Sequence, residues 1–308
     1  MASVSQTGAI RLELPLHAGR GQKVSVNGRS RLRRFLGSSV VGTVSLGLLL
    51  LVVATAVFAD ALAPYHPLLT DYAAIGRPPS AAHLLGTDLL GRDVLSRLIY
   101  GARVTLLVAI ISVLLGDSIG FVWGLVSGYL GRRFDVISQR FLDVLMAFPT
   151  LILALLLVVS LGSGLHTVII AIAVTRVPLA TRVIRSTVLS TRELAYVEAA
   201  RGLGASPARL MGRHLAPQCV APLLVIASFN LGTAIFAEAA LSFLGVGVPP
   251  PTPTWGSMLG GVLAEAFRPP WWLVVFPGLA ITLTIVAANL FGDALRDFLD
   301  PRLKRQVE

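Results

Sequence analysis

The chain has 308 residues, 55% of them hydrophobic and only 14% charged, with a formal net charge of +10. That balance excludes a soluble globular domain. The basic residues punctuate the ends of apolar runs instead of forming a face with stacking aromatics, which argues against a nucleic-acid partner. The single cysteine, Cys219, rules out an internal disulfide and reads as a small apolar packer.

Residues 1–37 are polar, Arg-rich and patternless, the composition of a disordered basic tail. Six apolar runs follow: Val40–Leu62, Val104–Leu130, Phe141–Leu161, Leu165–Ile184, Val220–Leu241 and Leu273–Leu295. Each reaches the roughly 20 residues with which a helix crosses a bilayer. Period-2 alternation is absent, so the spans are helices and not barrel strands, and the fold class is all-α. Ala59-Asp60-Ala61 resembles a signal cleavage site, but the apolar run before it exceeds the roughly 7–15 residues of a signal core. An uncleaved anchor is expected. The resulting layout is a tail at 1–37, a first transmembrane helix at 38–62 and an outer loop at 63–102. A core of five further transmembrane helices occupies 103–296, with a polar loop at 193–217, and a tail closes the chain at 297–308.

Individual residues within these runs carry expectations. Gly116, Gly120, Gly124 and Gly128 recur every fourth position and point to close helix packing. Arg176, with Pro178 near it, falls inside the fourth run. An Arg at mid-span costs about 2.5–3.5 kcal/mol on insertion scales, so it should face the protein interior or a wet cavity. Asp117 is the one Asp well inside a span. Glu238 is the most notable ionisable group near the outer end of one, and with Asn230 and Asn289 it is a candidate for the translocation path. The asparagines also read as interhelical hydrogen-bond partners. Asp88 and Asp93 flank Gly91-Arg92 in a loop stiffened by local hydrogen bonds. Trp255, Trp271 and Trp272 read as an interfacial aromatic belt.

Orientation follows from the basic residues. With the N-terminus inside, the cytosolic side receives Arg31, Arg33 and Arg34, then Arg132, Arg133 and Arg140, then the arginines from Arg182 to Arg213, then Arg296 onward. The outside keeps only Arg77, Arg92, Arg97, Arg103 and Arg268. Both termini are therefore expected in the cytosol. A phosphate-cradling loop needs Gly-Lys-Ser or Gly-Lys-Thr, and the only lysines, Lys23 and Lys304, follow Gln22 and Leu303. No ATP site, metal site or other cofactor is expected on this chain. The histidines lack helical ligand spacing, and no catalytic pair suits an intramembrane enzyme.

The polar stretch Tyr196–Pro217 is the segment kept for water. Ala195, Ala199 and Ala200 favour a helix, and Gly202 and Gly204 permit a sharp change of direction. Ser206 and Pro207 then restart a helix as N-cap and first helical residue. Leu210 and Met211 form its apolar patch, Arg209 and Arg213 stay solvated, and Pro217 ends it before the next span. The corner consists of small residues, including Ala199, Ala200, Gly204 and Ala205, so it could enter a groove as a knob.

These residues resemble a known pattern. Glu198-Ala199-Ala200, followed by Gly204 and Pro217, is similar to the EAA loop in the membrane subunits of ABC importers; Ala216 stands where that family usually has Leu. Leu85–Arg103, Ala237–Gly245, Pro249–Gly256 and Gly292–Arg302 resemble segments of the dipeptide, oligopeptide and nickel permeases, specifically the second, C-type chain of the pair. The resemblance implies a type I importer permease core without catalytic activity, carrying peptides. It implies that Glu198, Ala199, Ala200, Gly204, Ala205, Ser206, Arg209, His214 and Pro217 couple to ATPase subunits. The implied partners are a second permease chain, two ATP-binding subunits using ATP and Mg, an extracytoplasmic substrate-binding protein facing the outer loops, and the lipid bilayer. The alternative is an ATP-independent secondary transporter or channel, with Arg176, Asp117 and Glu238 as an ion relay.

Overall fold

The computed structural model describes residues 39–265 and 267–299, so the 1–37 tail and residues 300–308 of the 297–308 tail lie outside the described residues. Nine labelled helices account for most of the described chain: α1 (Val40–Val57), α2 (Val94–Leu130), α3 (Arg132–Met146), α4 (Thr150–Leu161), α5 (Leu165–Thr191), α6 (Ala195–Gly202), α7 (Ala216–Phe243), α8 (Trp255–Glu265) and α9 (Trp271–Leu299). Shorter helical turns sit at Ala59–Leu62, Tyr72–Ala74 and Pro207–Arg209, and Leu210–Leu215 forms a π-helical turn. Among the described residues β-pairing is confined to isolated bridges, Thr70 with Arg92 and Thr87 with Asp93.

Five helical stretches are long and apolar enough to cross a membrane, and a sixth crossing requires the α3–α4 pair to count as one. That pair corrects the expectation of a straight helix over Phe141–Leu161. α3 and α4 meet at 88°. Pro149 has no N–H to continue the helix, and its ring pushes Phe148 out of the helical region. α4 alone, at 12 residues, rises only about 18 Å, short of the roughly 30 Å hydrocarbon core. α3 is held sideways by Asp135. Its carboxylate accepts from Arg185 Nε at 2.6 Å, Arg185 Nη2 at 2.5 Å and Ser127 Oγ at 2.6 Å. Replacing Asp135 by Ala should cost about 1–3 kcal/mol, because Arg185 and Ser127 lose a charged acceptor. A lower thermal midpoint of the purified protein would register that loss.

The glycine repeat does what its spacing requires. A Cβ on Gly116 would lie 2.5 Å from the Ala173 carbonyl oxygen, and one on Gly120 would lie 2.5 Å from the Ala180 Cβ. On Gly124 it would meet the Thr181 carbonyl oxygen at 2.5 Å, and on Gly128 the Val188 Cβ at 2.9 Å. α2 and α5 therefore touch backbone to backbone over several turns. Ser112 adds a hydrogen bond to the Ile169 carbonyl at 3.1 Å.

Residues 63–102, expected to form a loop, are more ordered than that expectation implied. α2 begins at Val94, not Val104, because Asp93 caps it, accepting from Ser96 N at 2.8 Å and Ser96 Oγ at 2.7 Å. Asp88 accepts from the backbone of Leu90 and Arg92 at 2.9 Å and from Arg92 Nε at 2.7 Å. Of the three tryptophans read as an aromatic belt, Trp271 alone is exposed. Trp255 and Trp272 are buried, their indole N–H groups donating to the carbonyls of Leu98 at 2.9 Å and Thr87 at 3.2 Å. A buried indole needs such a partner; here Trp255 fastens α8 to α2, and Trp272 fastens the loop at Thr87 to α9.

Candidate functional site

The polar stretch is a built corner. α5 ends at Thr191, and Arg192 Nη1 donates to the Gly128 carbonyl at 2.9 Å, tying the entrance to the end of α2. α6 closes with two bonds of a Schellman turn: Gly204 N donates to Arg201 O at 3.0 Å and Ala205 N to Ala200 O at 3.1 Å. Gly204 has φ +81°, the left-handed conformation that glycine adopts without a steric cost. The turn rests on this one glycine. Gly202 is instead the last helical residue of α6, so only half of the expected glycine pair bends the chain.

Past the corner, Ser206 accepts from Arg209 N at 3.4 Å and Pro207 opens the next turn, as the spacing indicated. The expectation that Pro217 ends this helix fails. Leu210–Leu215 widens into a π-turn in which Ala216 N reaches back to Met211 O, and the chain continues unbroken into α7. Proline near a helix start removes a donor the helix does not use. With the register relaxed just before it, Pro217 stays in the rod, and Pro207–Phe243 forms one continuous stretch of 37 residues.

Burial divides the corner into two faces. Val197, Leu210 and Leu215 turn inward and pack with Ile184, Val188 and Cys219, while Ala200, Ala205 and Met211 are partly covered on the same cluster. Cys219 is fully buried, the packer its setting implied. Glu198, Ala199, Gly204, Ser206, Arg209 and Pro217 are exposed, and His214 is half-buried, its ring 6.2 Å from that of Tyr196. Leu203 tops the turn with 89% of its surface exposed. It is an apolar residue left bare at the apex, and only its place between Gly202 and Gly204 could have signalled it.

A second polar group lies within the spans. Arg176 is 8% exposed, and its Nη1 donates to Thr233 Oγ1 at 2.7 Å. Asn230 Nδ2 donates to Asp117 Oδ1 at 2.7 Å, linking α7 to α2. Asp117 Oδ2 and Arg176 Nε are buried without partners among the described residues. Glu238 is fully buried and accepts from Ser242 Oγ at 2.7 Å, so it shares no hydrogen bond with Asp117 or Arg176. Asn289 is half-buried and fills the space a side chain on Gly232 would occupy, its Oδ1 2.9 Å from that Cβ position. Asn230 thus joins the Asp117 and Arg176 region, whereas Glu238 and Asn289 stand apart from it. Among the described residues, no three His, Cys, Asp or Glu side chains gather as metal ligands.

Residues 120–305, which contain the whole corner, match the family profile described as "Binding-protein-dependent transport system inner membrane component". The chain belongs to this family of transport permeases. Curated relatives span nearly its full length. The glutathione transport system permease protein of Pectobacterium atrosepticum is 42% identical over 286 residues, covering 92% of this chain and 94% of that one. The di/tripeptide transport system permease protein of Pseudomonas aeruginosa is 44% identical over 262 residues, 83% of this chain and 86% of that one. Among solved structures, an inward-facing form of the MetNI methionine ABC transporter aligns with a TM-score of 0.56 at 19% identity, over 67% of this chain and 98% of the matched one. That likeness supports the fold of an ABC transporter permease. As a permease of this family, the chain is a multi-pass, non-catalytic membrane subunit.

Proposed function

We propose that this permease carries di- or tripeptide-sized cargo, including glutathione-like compounds, and that the Glu198–Pro217 corner is where ATP-binding subunits grip it. The relatives named for di/tripeptide and glutathione transport support the cargo class. The partners are a second permease chain, two ATP-binding subunits that use ATP and Mg, and an extracytoplasmic substrate-binding protein. The corner faces the cytosol with both termini, in keeping with the crowding of Arg182, Arg185, Arg192, Arg201, Arg209 and Arg213 at that end.

One observation carries the reading. The helix that leaves the corner four residues after the Leu203 apex runs on without a break as the spanning helix, Pro207–Phe243, so a push on the corner is passed to the bundle through a continuous helix. The small residues Ala199, Gly204 and Ala205 allow a partner's backbone close approach, and Leu203 supplies an apolar anchor for a groove. Closure of the paired ATPases then rocks the spans, and the path between the two permease chains opens alternately to each side. Glu238, Asn230 and Asn289 belong to the walls or supports of that path.

The test is reconstitution of the co-expressed complex in proteoliposomes with a labelled dipeptide and its binding protein. Uptake should require internal or external ATP on the face where the corner lies, and stop when the ATPase chains are omitted. Uptake driven by an ion gradient without those chains would replace this reading with the secondary-transporter alternative.

A further inference from the structure

A cavity of about 160 Å³ opens beside the bend between α3 and α4, within the membrane-spanning part of the molecule. Its apolar wall includes Leu145, Leu153 and Leu179, and its polar wall is Arg176, Thr175 and Asn230. A guanidinium in such a place is costly and is retained where charge is needed. Here it is only partly used. Nη1 and Nη2 are turned to Thr233, donating to its Oγ1 at 2.7 Å and its carbonyl at 3.4 Å, while Nε is shielded from solvent and donates to nothing described. The residue is held firmly from behind, because Gly116 has no side chain and the Arg176 Cβ would lie 2.8 Å from one.

We propose that this cavity is a carboxylate-binding station for cargo, with Arg176 as the recognition residue; the assignment rests on the peptide-importer reading above. A carboxylate accepts two N–H bonds from a guanidinium fork, and Nε, shielded and unpaired while the Nη atoms face Thr233, becomes one edge of that fork when the side chain turns toward the cavity. Asn230 presents an amide in the same wall, and the three leucines accept an apolar side chain beside the carboxylate. Asp117, bonded to Asn230, adds a negative charge behind the wall. It opposes the bound carboxylate and keeps the hold weak, as a station on a path requires. Peptides and glutathione each carry the group this site reads.

The experiment measures access and charge preference without depending on transport. Leu153→Cys is placed in a Cys219→Ser chain, purified with its partner chains in nanodiscs. Labelling rates are compared for an anionic sulfonatoethyl and a cationic trimethylammonioethyl methanethiosulfonate, each corrected for its rate with a free thiol. A cleft of one charge sign concentrates counter-ions by roughly tenfold or more, so the anionic reagent should win by that factor. Arg176→Gln, which leaves the carboxylate of Asp117 behind the wall, should bring the ratio to about one or below, and Arg176→Lys should keep it above one. Alanylalanine should slow labelling and alanylalanine amide should not. This protection arm uses native Arg176, so it decides the matter even where Arg176→Gln fails to assemble. Equal rates for the two reagents, equal protection by acid and amide, or no labelling at all would overturn the station. Each would leave the importer reading intact, since ATP-driven uptake is measured separately.

Discussion

Gly204→Val should sharply reduce nucleotide-driven uptake while leaving the chain inserted and bound to its partner permease. Gly204 holds φ +81°, and a side chain there would meet nothing within 4 Å, so the penalty is conformational and not a clash. The left-handed region costs an ordinary L-residue about 1–2 kcal/mol, and a β-branched one more. The backbone escapes by leaving that region, which breaks the bonds from Gly204 N to Arg201 O and Ala205 N to Ala200 O. Leu203 and the exposed alanines then no longer point together. Displacing a docking group by about 1 Å can cost on the order of a hundredfold; a loss of at least roughly tenfold in ATP-dependent uptake is expected on the same grounds. Gly204→Asn should lose less, because asparagine tolerates this region. Gly202→Ala should transport normally, since Gly202 is helical and unobstructed. Uptake by the valine variant equal to wild type would remove the turn from the coupling mechanism.

Gly124→Leu should prevent accumulation of folded protein. The added Cβ alone would stand 2.5 Å from the Thr181 carbonyl oxygen, 2.9 Å from the Ile184 Cβ and 3.1 Å from the Arg185 nitrogen. Backbone surrounds the site, so no rotamer change relieves it. Overpacking of one or two methylenes costs about 1–3 kcal/mol, and a whole isobutyl group against a rigid helix exceeds that. Gly47→Ala is the matched control. It lies in α1 with nothing within 4 Å, and should be neutral or gain about 0.5–1 kcal/mol of helix propensity. Size-exclusion profiles and thermal midpoints of the detergent-purified variants separate the two outcomes. A monodisperse Gly124→Leu protein of normal stability would mean that α2 and α5 do not pack as described.

The features legible in the sequence were those set by local chemistry. Apolar length marked the spans, the four-residue glycine repeat marked the α2–α5 contact, and Ser206-Pro207 marked a helix start. The buried setting of Arg176 followed from the cost of leaving it in lipid. What escaped was set by registers and by distant partners. Nothing near Trp255 or Trp272 announces that carbonyls of Leu98 and Thr87 will accept their N–H groups, 157 and 185 residues away. The α3–α4 bend was hidden because apolar residues continue across Pro149, and composition does not record direction. Pro217 misled because a proline usually closes a helix, and the compensating π-turn leaves no residue-type signature. For the corner, Gly204 was legible and Leu203 was not, since its exposure depends on the turn that Gly204 makes.

The π-turn at Leu210–Leu215 also sets an angular phase. Each residue added to or removed from a helix rotates everything beyond it by about 100°. The apex is therefore indexed to the bundle by residue count as much as by contacts. Grafting this elbow onto a related permease will succeed only when the number of residues between Ser206 and Ala216 is preserved; a chimera one residue short would carry every native side chain and aim them at the wrong azimuth.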